Sequence, residues 1–114
     1  MSDVSTRSQE LLPSAARTAT TVGDSVALPY DAKGIGIALI VTADSGTGTF
    51  EAKLETSYDG GTTWMDVTTA TSGAISAVGV TVKYATIPCG PIVRTTLTES
   101  GTAVQTQSVR VVYT

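Results

Sequence analysis

The stretch Thr49-Phe50-Glu51-Ala52-Lys53-Leu54-Glu55-Thr56-Ser57-Tyr58 alternates without a break. Phe50, Ala52, Leu54, Thr56 and Tyr58 fall on one side, and Glu51, Lys53, Glu55 and Ser57 on the other. A period of two is the period of a β-strand, whose successive side chains point to opposite faces. Charges confined to one side mean that this face is wet and the other packs. These ten residues decide for a β fold.

The neighbouring segments agree. Ile35, Ile37, Leu39 and Val41 alternate with Gly36, Ala38, Ile40 and Thr42, a strand apolar or small on both faces and therefore central in its sheet. Ser25–Tyr30 reads as a short strand ended by proline, and Asp44–Gly48 as a turn. Further strands are expected at Trp64–Thr68, at Val80–Tyr84 with Val80, Val82 and Tyr84 on one face, at Ile92–Thr98 and at Gln105–Tyr113. Pro88–Pro91 and Glu99–Thr102 separate the later ones as turns. Turn signals about every ten residues, and no credible helix, predict an all-β chain. The expected architecture is a single antiparallel β-sandwich, Ig-like or jelly-roll-like, of about seven or eight short strands. Residues 17–114 form this domain. Residues 1–16 are expected to be an extended N-terminal arm outside the core, with Leu11, Leu12 and Pro13 as its apolar patch and candidate assembly contact. Pro13 keeps Leu12 out of the helical region.

Between the strands lies Ser57-Tyr58-Asp59-Gly60-Gly61-Thr62-Thr63-Trp64. It matches the Asp-box pattern S-x-D-x-G-x-T-W and so resembles the boxes of sialidase-like β-propellers. A propeller needs at least four four-stranded blades, too many for 114 residues. The box is better read as a hairpin closure. Asp59 can accept backbone N–H groups across its own turn. Gly60 and Gly61 supply positive φ. Trp64 can cover the hairpin, and the hydroxyls of Ser57 and Thr63 can bond across it.

Composition narrows the functions. Charged residues make up 15% of the chain, the net charge is −3, and the seven Lys and Arg are scattered singly. No basic stripe is present to neutralise phosphates or anionic lipid, so neither nucleic acid nor membrane is an expected partner. The N-terminal residues lack an apolar signal core, and the one cysteine, Cys89, cannot build a disulfide framework. Both features fit assembly in a reducing cytoplasm. Histidine is absent, so no imidazole relay or imidazole metal ligand can form. Cys89 has no histidine to activate it. Glu51 and Glu55 lie about 13 Å apart along their strand, wider than either glycosidase geometry. No catalytic residue, metal site or cofactor is expected.

The order of motifs SAARTAT, GIGIALIVTADSGTGTFEAKLETSYDGGTTWMDV and GPIVRTTLTESGTAVQTQSVRVVY, from about Ser14 to Tyr113, resembles a group of small tailed-bacteriophage virion proteins. Residues 70–80 have no recognisable counterpart in that pattern. The resemblance implies a non-enzymatic virion structural protein with an all-β sandwich fold, of the decoration or minor head type. It would bind other virion proteins of the capsid or neck, and oligomerise. A second reading is a glycan- or host-binding module of a tail fibre or head spike, with Tyr30, Tyr58, Trp64 and Tyr84 as stacking platforms.

Overall fold

The computed structural model describes residues 7–86 and 88–114. Their regular structure is entirely β: β1 (Arg7–Arg17), β2 (Thr21–Val22), β3 (Val26–Ala27), β4 (Gly36–Ser57), β5 (Met65–Thr71), β6 (Gly79–Tyr84) and β7 (Ile92–Tyr113). All pairings are antiparallel, within one continuous sheet.

The fold is organised by β4 and β7, each 22 residues long and paired with the other from Gly36↔Val112 to Ser57↔Ile92. A straight strand of that length would run roughly 70 Å. The longest dimension of the molecule is 43 Å, so the ribbon must bend. Its first half pairs β6 and β1, giving a layer in the order β6-β4-β7-β1. Its second half pairs β5 on one side and the short β2 and β3 on the other. The sheet thus doubles over into a sandwich of two layers.

Side-chain parity shows how both halves reach one core. On β7 the residues of the hydrophobic cluster are odd-numbered throughout, from Val93 through Leu97 and Ala103 to Val109, Val111 and Tyr113, while Val112 is buried on the opposite parity. On β4 they switch from Ile37, Leu39 and Val41 to Phe50, Ala52 and Leu54. A one-residue bulge makes the switch: Val41 pairs Gln107 but Ala43 pairs Thr106, leaving Thr42 extra. All these residues join one hydrophobic cluster.

The structure has seven strands, as expected, but corrects two of the expected turns. Asp44–Gly48 and Glu99–Thr102 do not reverse the chain; strand pairing runs straight through both. The two segments face each other, and Gly46 (φ 76°), Gly48 (φ 143°) and Gly101 (φ 85°) take backbone conformations that side chains resist. Their glycines bend the ribbon where a turn was expected, so four short strands become two long ones.

The N-terminal arm is also corrected. Residues 7–17 are β1, paired along β7 from Arg7↔Tyr113 to Arg17↔Gln105. Leu11 and Leu12 are buried in the cluster, and Pro13 falls where the register slips between Leu12 and Ala15, so its missing N–H breaks no regular ladder. Burying each leucine contributes about 1.5–3 kcal/mol, more than a loose arm could gain in water. Residues 1–6 of the expected arm lie outside the described residues.

Two further packing details frame the site. Val67 and Ala70 of β5, three apart, are both buried because the β4/β5 register slips between Lys53↔Thr71 and Glu55↔Asp66. The fully buried Gln105 is satisfied by donating to Asp44 Oδ1 and to the Ile75 carbonyl, both at 2.9 Å.

Candidate functional site

The Asp-box residues form the connection from β4 to β5, and the sequence dictates the local fold. Gly60 (φ 78°) and Gly61 (φ 96°) both adopt left-handed conformations. Asp59 Oδ1 accepts the Thr63 N–H at 2.8 Å, the Thr62 N–H at 3.2 Å and the Ser57 hydroxyl at 2.8 Å. Ser57 Oγ in turn accepts the Gly61 N–H at 2.9 Å. Ser57 and Asp59 therefore stitch the loop from both sides, and Ser57 is itself buried.

This constellation fixes the charge of Asp59. The Thr63 N–H first, then the Thr63 and Ser57 hydroxyls, hold the carboxylate at a pKa of about 2, below the ordinary 3.8. A carboxylate so occupied is an acceptor held ionised, with no proton to give at neutral pH. Its chemistry is loop closure.

Trp64 follows the loop. Its indole Nε1–H donates to the Gly61 carbonyl at 3.1 Å, and the Arg94 guanidinium lies over its ring at 4.3 Å. Arg94 sits directly across the ladder from Glu55 and pairs with it, Nε to Oε1, at 3.0 Å. The Thr96 hydroxyl donates to the same Glu55 oxygen. Glu55 and Glu51, expected on a wet face, are instead half-buried and engaged, Glu51 accepting the Thr71 hydroxyl at 2.8 Å.

The aromatic platforms do not converge. Tyr58 is exposed beside the loop, with its hydroxyl donating to the Pro88 carbonyl at 3.2 Å. It borders a recess of about 300 Å³ with Asp59, Thr63 and Met65, which Trp64 and Tyr84 do not line. Tyr30 stands fully exposed between β3 and β4, and Tyr84 lies at the end of β6. The expected inner face of Phe50, Ala52, Leu54 and Thr56 is buried, but Tyr58 leaves it where the strand ends.

Among the described residues, no group of three or more His, Cys, Asp or Glu side chains could hold a metal ion, and no helix is long and apolar enough to cross a membrane. Burial raises the Cys89 thiol pKa above its ordinary value, away from the reactive thiolate.

Two contributors escaped the sequence reading. Arg94 could be matched to Trp64 and Glu55 only once the β4/β7 register was known. Met65 carried no motif; its place next to the box tryptophan was its only signal. Compared with protein-family models, curated proteins and solved structures, the chain matches none. The phage-protein resemblance rests on the residues quoted for it.

Proposed function

We propose that the chain is a non-enzymatic structural component of a bacteriophage virion, a capsid decoration or minor head protein that binds the assembled shell and oligomerises. The carrying observation is how its polar groups are used. Ser57 and Asp59, the residues with the strongest claim to chemistry, are spent on closing their own loop. The order of motifs from Ser14 to Tyr113 supplies the class of protein. Low charge and a chain rich in threonine suit repeated contacts with other virion proteins of the capsid or neck, formed in the host cytoplasm, without nucleic acid, membrane or cofactor.

Mixing the purified chain with empty heads and sedimenting them tests this reading. Co-sedimentation that saturates at a fixed stoichiometry supports it, and a chain left in the supernatant contradicts it. A glycan- or host-binding role is favoured by one observation, the recess beside exposed Tyr58 and Met65. The chain's single tryptophan, Trp64, adjoins that loop, so its fluorescence during titration with oligosaccharides reports on this second reading. A saturable shift without head binding would replace the first reading by the second.

A further inference from the structure

Strand β6 is built the wrong way round for a strand that serves only its own core. It pairs β4 alone, with Lys83 opposite Ile37, Thr81 opposite Leu39 and Val80 opposite Ile40. Directly opposed residues share a face. Ile37 and Leu39 point into the core, so Thr81 and Lys83 occupy the inner side and Val80, Val82 and Tyr84 the outer one. The outer three are 65%, 40% and 51% exposed, and Val78 just before them is 62% exposed. Alternation places Val80, Val82 and Tyr84 on one face, but only the pairing with β4 identifies it as the solvent face.

The backbone of β6 is open on the same three residues. Ala85 N–H donates to the Ile35 carbonyl at 2.8 Å, which makes Ala85–Ile35 a hydrogen-bonded pair of the ladder. Hydrogen-bonded pairs recur every second residue, so Lys83, Thr81 and Gly79 bond to β4. The N–H and C=O groups of Val80, Val82 and Tyr84 therefore point away from β4. No other hydrogen bond among the described residues uses them. An apolar strand with a free row of donors and acceptors is a template for another strand.

We infer that this edge pairs with β6 of a second copy of the chain, antiparallel about a two-fold axis at Val82. The sequence Gly79-Val80-Thr81-Val82-Lys83-Tyr84 is self-complementary in that register. Val82 meets Val82, and each Val80 meets Tyr84 of the other copy, an aromatic against a β-branched residue on the same face. The three outward pairs exchange about six backbone hydrogen bonds. Charge selects the register. Lys83 is the strand's one charged residue; with the axis at Val82 it faces Thr81 of the second copy, whereas an axis at Lys83 would oppose two ammonium groups. Pairing joins the two β6-β4-β7-β1 layers into one continuous sheet.

Size sets the strength. Val78, Val80, Val82 and Tyr84 expose on the order of 400 Å² per copy, a patch large enough to mark an interaction site. That is about half of the ~800 Å² per partner in a standard interface, which places this pairing among the weak, transient ones, to be sought at micromolar concentrations. The inference makes specific the oligomer in the proposed virion role, and it is tested on the isolated chain. Its failure would leave shell binding to its own test, and failure of shell binding would leave the dimer standing.

Sedimentation velocity of the full chain from about 1 to 100 μM tests it, since a micromolar dimer is mostly associated at the upper end. Two variants accompany the wild type. V82K places like charges at the axis, and V82P removes an N–H that points away from β4. The expected result is a concentration-dependent dimer whose dissociation constant rises at least about tenfold in V82K, with thermal unfolding of the monomer little changed. V82P confirms it if it too is monomeric while folded. A wild type that stays monomeric at about 100 μM would overturn the inference. So would a dimer that V82K leaves intact.

Discussion

Gly48 lies directly across the β4/β7 ladder from Gly101, and a side chain on either would meet the backbone of the opposite strand. A Cβ on Gly101 would come within 2.8 Å of the Thr47 carbonyl oxygen, and one on Gly48 would overlap the carbonyl oxygen of Ser100. Close approach at this point lets a single ribbon serve both layers.

The bend yields a paired prediction. Gly46 and Gly60 have nearly the same left-handed φ, 76° and 78°. A Cβ at Gly46 would collide with the Thr102 carbonyl, whereas one at Gly60 meets nothing within 4 Å. Gly60→Ala should therefore cost about 1 kcal/mol, the conformational penalty alone. Gly46→Ala should cost about 2–4 kcal/mol, because collision adds to it. Urea unfolding of both variants measures the difference, and equal losses would mean that the ribbon has room at its bend.

Strand β1 makes a second prediction. Leu11→Ala should destabilise by about 2–5 kcal/mol, as for a leucine removed from a packed core. Deleting residues 2–13 should abolish cooperative unfolding, since it strips β7 of most of its partner strand. A deletion variant that melts like the wild type would restore the view of this segment as a detachable arm.

The box aspartate makes a third. Asp59→Ala removes the acceptor shared by the Thr62 and Thr63 N–H groups and the Ser57 hydroxyl. Thermal unfolding should begin roughly 3–8 °C lower. Asp59→Asn keeps one acceptor oxygen and should recover part of that loss. Any catalytic or binding role for the carboxylate predicts instead a loss of function at unchanged melting temperature.

The same residue has a pH signature. Asp59 titrates at about 2 in the folded chain against 3.8 when unperturbed. Between those values the unfolded chain binds more protons, so stability rises with pH there. Asp59's contribution is complete above the unfolded pKa and is lost as pH falls through the folded one. The stability gap between wild type and Asp59→Asn, followed by urea midpoints, should hold steady above about pH 5 and close toward about pH 2. A gap that stays constant down to acid would show that ionisation of Asp59 contributes nothing.

The sequence made the β class, the β4 face of Phe50, Ala52 and Leu54 and the loop chemistry of the box legible, because each depends on neighbours within a few positions. Its errors share one cause. Gly46, Gly48 and Gly101 carry the composition of turns, but whether glycine reverses a chain or bends a paired one depends on the strand opposite. Leu11 and Leu12 looked like an isolated apolar patch since the surface that buries them, on β7, lies about a hundred residues away. Arg94 shows the same limit: its stack on Trp64 depends on register, which local pattern does not encode.

The virion role is tested most directly by size fractionation of native lysate from infected cells, probed for this chain. Recovery in megadalton particles at a constant ratio to the major shell protein is the predicted result. Recovery solely as a free monomer or small oligomer, with none in the particle fractions, would contradict it.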